Sequence, residues 1–319
     1  MTSDYHNPVM LSEAIAGLNI RPEGTYVDAT FGGGGHSRAI LAALGPEGRL
    51  LAFDQDEDAA RRVESGEWRV ENTCDQVPPT NFTFINENFR HLKAFLRLHG
   101  VRQVDGVLAD LGVSSHQFDT AERGFSTRLD GVLDLRMDRR NPVSARELVN
   151  SASEEELARL LRLYGELPNA RQMARAIVER RVENGERREI VTTTDLKEAV
   201  SRHLPRGMEN KYLAMLFQAL RIEVNGELEA LKALLEQATE LLTVGGRLVV
   251  ISYHSLEDRL VKNYMRAGNF EGVVEKDFYG NPLSPLRQMM KCNASAEEVA
   301  RNNRARSAML RVAEKRVES

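Results

Sequence analysis

The hydrophobic positions of this chain fall into short unbroken runs, with helically spaced stretches between them. TYVDAT (Thr25–Thr30), RLLAFDQD (Arg49–Asp56), FTFIN (Phe82–Asn86), VDGVLADLG (Val104–Gly112) and GRLVVIS (Gly246–Ser252) are β-rich and continuous rather than alternating. That is the pattern of strands buried on both faces of a parallel sheet. Helical patterns follow over Ser37–Leu44, from Asp58–Arg62 onward and over His91–His99. The alternation predicts a doubly wound α/β sheet. GVVEKDF (Gly272–Phe278) and SAMLRVAEK (Ser307–Lys315) read as two final strands, able to pair antiparallel at one edge.

More than a hundred residues separate the fourth and fifth of these runs, too many for a simple crossover. The gap is helical in pattern over Ser144–Asn150, Glu154–Tyr164, Ala170–Asn184, Thr194–His203 and Lys211–Leu242, with Ser153 and Thr194 as N-cap candidates. The expected organisation is a discontinuous sheet domain, residues 1–117 and 209–319, with a helical domain inserted at 118–208. Basic residues only slightly outnumber acidic ones there, which suits a solvated surface and an RNA-contacting face equally. Ser65–Thr80 is polar, contains Pro78-Pro79 and reads as a surface excursion.

Composition narrows this picture a little. A net charge of -4 does not announce a nucleic-acid binder, nor does it exclude a local basic surface. Cys74 and Cys292 are the only cysteines, which argues against a disulfide framework or a zinc site. The start of the chain lacks a signal-peptide pattern, and no apolar run approaches the roughly 18–20 residues of a membrane span. A soluble, cytoplasmic protein is expected, its oligomeric state left open, a homodimer included.

The chemistry gathers at the strand ends. VDATFGGGGHSRAIL (Val27–Leu41) puts four glycines between the first strand and a helix, where a doubly wound sheet binds ligand. Bare backbone lets a ligand approach the main chain, and helix-start amides favour an anionic group. Either a dinucleotide pyrophosphate or the carboxylate of S-adenosylmethionine satisfies that. Asp54, 22 positions after Gly32, ends the second strand and can accept both ribose hydroxyls of an adenosine, in nicotinamide enzymes and methyltransferases alike. The loop has Ser37 where G-x-G-x-x-G has its third glycine. Phe89 is placed either to cover an adenine or to join the core.

Asp110 ends the fourth strand. It can orient a cofactor amino group, accept a hydrogen from a nucleophilic amine, or cap the next segment. Methylation of a cytosine ring carbon would need a cysteine nucleophile, and neither cysteine is expected at a strand end. His254 follows the fifth strand and can accept a hydrogen, stack on a flipped base, or simply hold its loop. Phe217, Leu220, Val224, Leu228 and Leu231 recur at helical spacing as core. Arg221 and Asn225 lie one turn apart and are candidates for substrate contact.

The ordered set HNPVM (His6–Met10), DATFGGGGHS, AFDQD, DLGVSSHQ, AERGFS (Ala121–Ser126), LDLRMD (Leu133–Asp138), FQALRIEVNGEL (Phe217–Leu228), GGRLVVISYHSLEDR and RARSA resembles the ribosomal RNA small subunit methyltransferase H family, also called MraW, from about His6 to the C-terminus. The resemblance implies a Rossmann-like class I methyltransferase sheet with a helical insertion that helps recognise substrate. It implies S-adenosylmethionine-dependent methylation of the exocyclic N(4) amine of one cytidine in the decoding region of small-subunit (16S) ribosomal RNA. The substrate is that RNA or the assembled small subunit. The family's cofactor contacts fall on Gly34, Gly35, His36, Asp54, Phe89, Asp110 and Gln117. With a catalytic Asp110 go a candidate His254 and candidate RNA contacts at Arg221, Asn225, Arg301, Arg304 and Arg306. The chain departs from the family pattern in three places: a longer connection at Ser65–Thr80, Asn303 where a proline is expected, and Tyr253 in place of a phenylalanine. None is expected to touch the cofactor motifs.

Overall fold

The computed structural model describes residues 8–69, 79–183, 186–280 and 282–317. The chain divides into two compact units, residues 1–112 with 228–319, and residues 113–227.

The first unit is built on a seven-stranded sheet of β1 (Thr25–Asp28), β2 (Arg49–Phe53), β3 (Phe82–Ile85), β4 (Val104–Asp110), β5 (Leu242–Ser252), β6 (Leu286–Asn293) and β7 (Met309–Lys315). Its spatial order is β3-β2-β1-β4-β5-β7-β6. Strands β1 to β5 are parallel, and β7 lies antiparallel between β5 and β6. The chain winds outward from β1 to β3 and then returns to the other side of β1 as β4. The carboxyl ends of β1 and β4 therefore flank the switch point where such sheets open a crevice.

Alternate residues serve opposite faces. Val27, Leu51, Phe53, Val107, Leu248 and Val250 pack with Leu92, Leu96, Leu234, Leu235 and Val261 on one side. Tyr26, Leu50, Leu108, Val249, Ile251 and Leu310 pack with Ala14, Leu18, Ile40 and Val63 on the other. Burial on both faces is why the sequence shows unbroken apolar runs.

The second unit is helical, with helices Ala145–Ser151, Glu154–Leu163, Ala170–Arg180, Thr193–Val200 and Glu209–Asn225 around Leu157, Leu160, Met173, Ile177, Leu216 and Leu220. Capping boxes open three of them, at Ser144, Ser153 and Thr192. Thr192, not Thr194, is the cap of its helix, because it is the one with Asp195 three residues on to reach back to its N–H. The unit boundaries lie at 112/113 and 227/228 rather than 117/118 and 208/209, since Leu213, Leu216, Phe217, Leu220 and Val224 sit in the helical core. The single helical run read over Lys211–Leu242 ends at Gly226 (φ 58), which caps Glu209–Asn225 before Glu227–Leu241 begins.

Two more expectations fail near the edge of the sheet. Gly272–Phe278 forms no strand, only an isolated bridge from Lys276 to Pro282. The edge strand is Leu286–Asn293, of which only Leu286 is buried. It holds Cys292 one residue from its end, so a cysteine does lie at a strand end. It is three strand spacings, about 14 Å, from β4, and burial, with Glu13 adding to it, pushes its thiol up. Cys74 lies outside the described residues.

Candidate functional site

Three carboxyls end three adjacent parallel strands: Asp28 on β1, Asp54 just past β2 and Asp110 on β4. Asp28 is fully buried and accepts the Ser37 hydroxyl at 2.6 Å and the Thr30 N–H at 3.1 Å. Burial raises its pKa, against the pull of His36. Asp54 accepts the N–H of Gly32 at 2.7 Å and of Asp56 at 2.9 Å. Its carboxyl is nevertheless pushed up to about 7, burial outweighing those bonds. A carboxylate offers about four acceptor positions, so two remain for ribose hydroxyls. Asn86 donates to the Asp54 carbonyl at 2.9 Å and fixes the strand end.

Asp110 is set by its neighbours. Its N–H donates to Thr30 Oγ1 at 2.6 Å, and its Oδ1 accepts the Tyr253 hydroxyl at 2.6 Å. Burial raises it to about 7, the Tyr253 bond opposing and the Glu257 and Glu298 charges adding. Oδ2 faces His36 Nδ1 at 3.8 Å. The other ring nitrogen, Nε2, lies 3.2 Å from the Val9 carbonyl and so carries the hydrogen. Burial lowers the His36 pKa and Asp28 raises it. The ring is thus a neutral member of the cluster. Among the described residues no Lys or Arg makes an ion pair with Asp28, Asp54 or Asp110.

The glycine loop is less bare than its sequence suggests. A Cβ on Gly34 (φ 71) would fall inside the Trp68 indole, and one on Gly35 would collide with the Pro8 ring. Trp68 is fully buried, donates to the Gly34 carbonyl at 3.2 Å and packs on Phe31 and Phe82 with ring centroids 5.1 and 4.5 Å apart. These two glycines are needed for close packing within the protein. Residues 65–69 begin the expected surface excursion with a core anchor, and most of its remainder lies outside the described residues.

The family model described as the MraW methylase family matches residues 3–316. The chain belongs to the MraW methylase family. It is 53% identical over 98% of its length to the ribosomal RNA small subunit methyltransferase H of Flavobacterium johnsoniae, covering 99% of that protein. It is 54% identical over 96% to that of Flavobacterium psychrophilum, covering all of it. A solved rRNA methylase from Streptococcus thermophilus aligns over 97% of this chain and 95% of its own with a TM-score of 0.41 and 13% identity, a likeness too loose to add to the assignment.

Against this family's expected site, several residues stand where the sequence placed them and others do not. His36, Asp54 and Asp110 come together at the strand tips with the glycine loop. Phe89 opens a short 3-10 turn after β3 and packs, partly buried, on the core. Gln117 belongs to the helical unit, where its Oε1 accepts the Ser114 N–H at 3.0 Å in a capping box; it is buried rather than solvated. His254 caps helix Ser255–Ala267, its Nδ1 accepting the Glu257 N–H at 3.4 Å. Its Nε2 lies 3.2 Å from Glu257 Oε1 without hydrogen-bond geometry. In the structure its ring therefore holds the start of that helix.

Arg221 is bidentate with Glu227 at 2.8 and 3.0 Å. Asn225 accepts the Met137 N–H at 2.7 Å and donates to Leu135 and Arg221 carbonyls at 2.8 Å each. Both are spent on bonds inside the helical unit. Arg301 and Arg306 are exposed, while Arg304 is partly buried. Asp28 and Tyr253 were missed. Asp28 carries the same signal as Asp110, a carboxylate ending an apolar run. Tyr253, a departure from the family pattern expected to leave the cofactor motifs untouched, instead hydrogen-bonds Asp110. Among the described residues no helix is long and apolar enough to cross a membrane.

Proposed function

We propose that this chain transfers a methyl group from S-adenosylmethionine to the exocyclic N(4) amine of a cytidine in the decoding region of small-subunit ribosomal RNA. The observation that carries the reading is the row of carboxyls at the tips of β1, β2 and β4, Asp28 buried and Asp54 and Asp110 half-buried, with no Lys or Arg ion-paired to them among the described residues. Carboxyls that their surroundings push toward the neutral form, with no basic side chain beside them, are stabilised as anions by a bound cation. A ligand bearing a sulfonium and an ammonium fits that cluster. The pyrophosphate of a nicotinamide cofactor would be repelled by it. The names of the relatives supply the substrate class, and family membership supplies the reaction.

S-adenosylmethionine, when bound, supplies a methyl group on a positively charged sulfur. Asp54 would hold the ribose hydroxyls, Phe89 would cover the adenine edge, and the loop at Gly34, Gly35 and His36 would meet the amino-acid end. An exocyclic amine is a weak nucleophile because its lone pair is delocalised into the ring. Asp110 Oδ2 accepting one amine hydrogen returns density to nitrogen, and alignment supplies much of the remaining gain. As the N–C bond formed, the methyl–sulfur bond would break with its electron pair left on sulfur as a neutral thioether, and the nitrogen would then release its proton to Asp110 or water. The base must leave its stack to reach the site. Residues 113–227, with Arg301, Arg304 and Arg306, are the surfaces assigned to RNA, free or in the assembled subunit.

The test gives the purified protein methyl-labelled S-adenosylmethionine and small subunits from cells lacking it, followed by digestion to nucleosides. Label in N(4)-methylcytidine, saturating at about one methyl group per small subunit, is the expected result. Label on a ring carbon, or none, overturns the reading.

A further inference from the structure

Asp110 sits among groups that favour its neutral form. Glu257 and Glu298 act on it electrostatically, buried Asp28 is a further acid of the same cluster, and His36 faces its Oδ2 as a neutral ring at 3.8 Å. Among the described residues the strong donor on the carboxyl is the Tyr253 hydroxyl, on Oδ1 at 2.6 Å. The residue is anchored beyond that bond. The Tyr253 backbone N–H donates to Glu257 Oε2 at 2.9 Å, and its ring packs against the core that holds Ile251 and Leu310. The ring also reaches the turn after β4, where a Cβ built on Gly112 would lie 3.6 Å from it.

We propose that Tyr253 is a positioning residue for methyl transfer. Its hydroxyl fixes the Asp110 carboxyl in one rotamer and favours its ionised form, leaving Oδ2 for the amine hydrogen of the base. The proposal rests on the reading of Asp110 as the acceptor at that amine. A donor on one carboxylate oxygen stabilises the anion and lowers its pKa. Burial of the phenol, with Asp110 beside it, raises the Tyr253 pKa well above its ordinary value, so it remains a donor throughout the working range. The residue therefore acts on Asp110 and makes no contact with the methyl group itself.

Tyr253→Phe removes the hydroxyl and keeps the ring. With aspartate labelled at the side-chain carboxyl carbon, and the Asp110 signal assigned by its loss in Asp110→Asn, the wild-type signal is expected to titrate near 7. In Tyr253→Phe its midpoint rises by about one pH unit. The acid limb of the kcat/KM profile moves with it, so activity at pH 6.5 falls about eightfold and the loss is nearly gone by pH 8.5. In the Asp110→Asn background, Tyr253→Phe has no further effect on rate. Unchanged near-ultraviolet circular dichroism checks the fold. An unshifted Asp110 signal in Tyr253→Phe overturns the proposal, as does a rate loss equal at every pH. If the wild type transfers no methyl group while the signal shifts as expected, the hydrogen bond stands as described and the reading of function is what fails.

Discussion

The indole N–H of Trp68 donates to the carbonyl of Gly34 at 3.2 Å, and the same glycine leaves no room for a side chain against that ring. A residue from a polar, loop-like stretch thus forms the floor of the glycine loop. Gly34→Ala should destabilise the protein by about 2–4 kcal/mol, because it combines a left-handed φ of 71 with a collision. Trp68→Ala should cost about 3–5 kcal/mol. The double variant should cost clearly less than the sum, since losing the indole vacates the space that the added methyl group needs. Urea unfolding of the four proteins measures the coupling, and strict additivity would separate the two residues.

Asp110 makes stability depend on pH. Its folded pKa of about 7 lies above the roughly 3.9 of an unfolded aspartate. A raised carboxyl contributes fully below the unfolded pKa, and that contribution is lost as pH rises through the folded one. Asp110→Asn should therefore match wild type near pH 4, gain on it through pH 7, and be more stable by about 1–3 kcal/mol at pH 8. The full shift would correspond to about 4 kcal/mol, but the side chain keeps 22% of its exposure, which softens the cost. Thermal unfolding of both proteins across that range checks the sign.

Asn225 ties helix Glu209–Asn225 to a loop whose Leu135 has φ 60, a left-handed conformation uncommon for leucine. Asn225→Ala removes three hydrogen bonds at once. The expected loss is about 2–4 kcal/mol, from the stranded Met137 N–H and the lost bonds that offset the left-handed Leu135. A lower urea midpoint at unchanged slope is the expected signature.

Exposed Arg301 and Arg306 have no such internal duty of comparable strength. Among the described residues Arg301 makes a 3.4 Å bond to the Glu297 carbonyl. Replacing either by alanine should leave stability within about 0.5 kcal/mol. For a phosphate contact, the slope of log affinity for the small subunit against log salt should fall by about one per residue. A slope identical to wild type would remove that arginine from the RNA surface.

The strands that position the site were legible because each is buried on both faces. Val27, Leu51, Val107 and Leu248 leave an uninterrupted apolar record. Leu286–Asn293 left none, since one residue of it is buried, while Gly272–Phe278 offered valines and a phenylalanine that pair with nothing as a strand. Trp68 was hidden by its polar neighbours, because a single anchoring side chain has no periodicity. Asp54 and Asp110 were found through their position at strand ends. Asp28 carries the same strand-end signal, masked by the glycines that follow it. The structural uses of Arg221, Asn225 and His254 depend on partners far away in sequence or on the angle of one bond, which spacing does not encode.

The most direct measurement is calorimetric titration of the protein with S-adenosylmethionine at pH 6 and pH 8, in buffers of different ionisation enthalpy. If the strand-tip carboxyls hold the cationic donor, one molecule binds per chain. Binding at pH 6 releases protons, and affinity rises about tenfold by pH 8 as a carboxyl near 7 becomes ionised beforehand. No binding, or an affinity flat across this range with no proton release, would contradict the account.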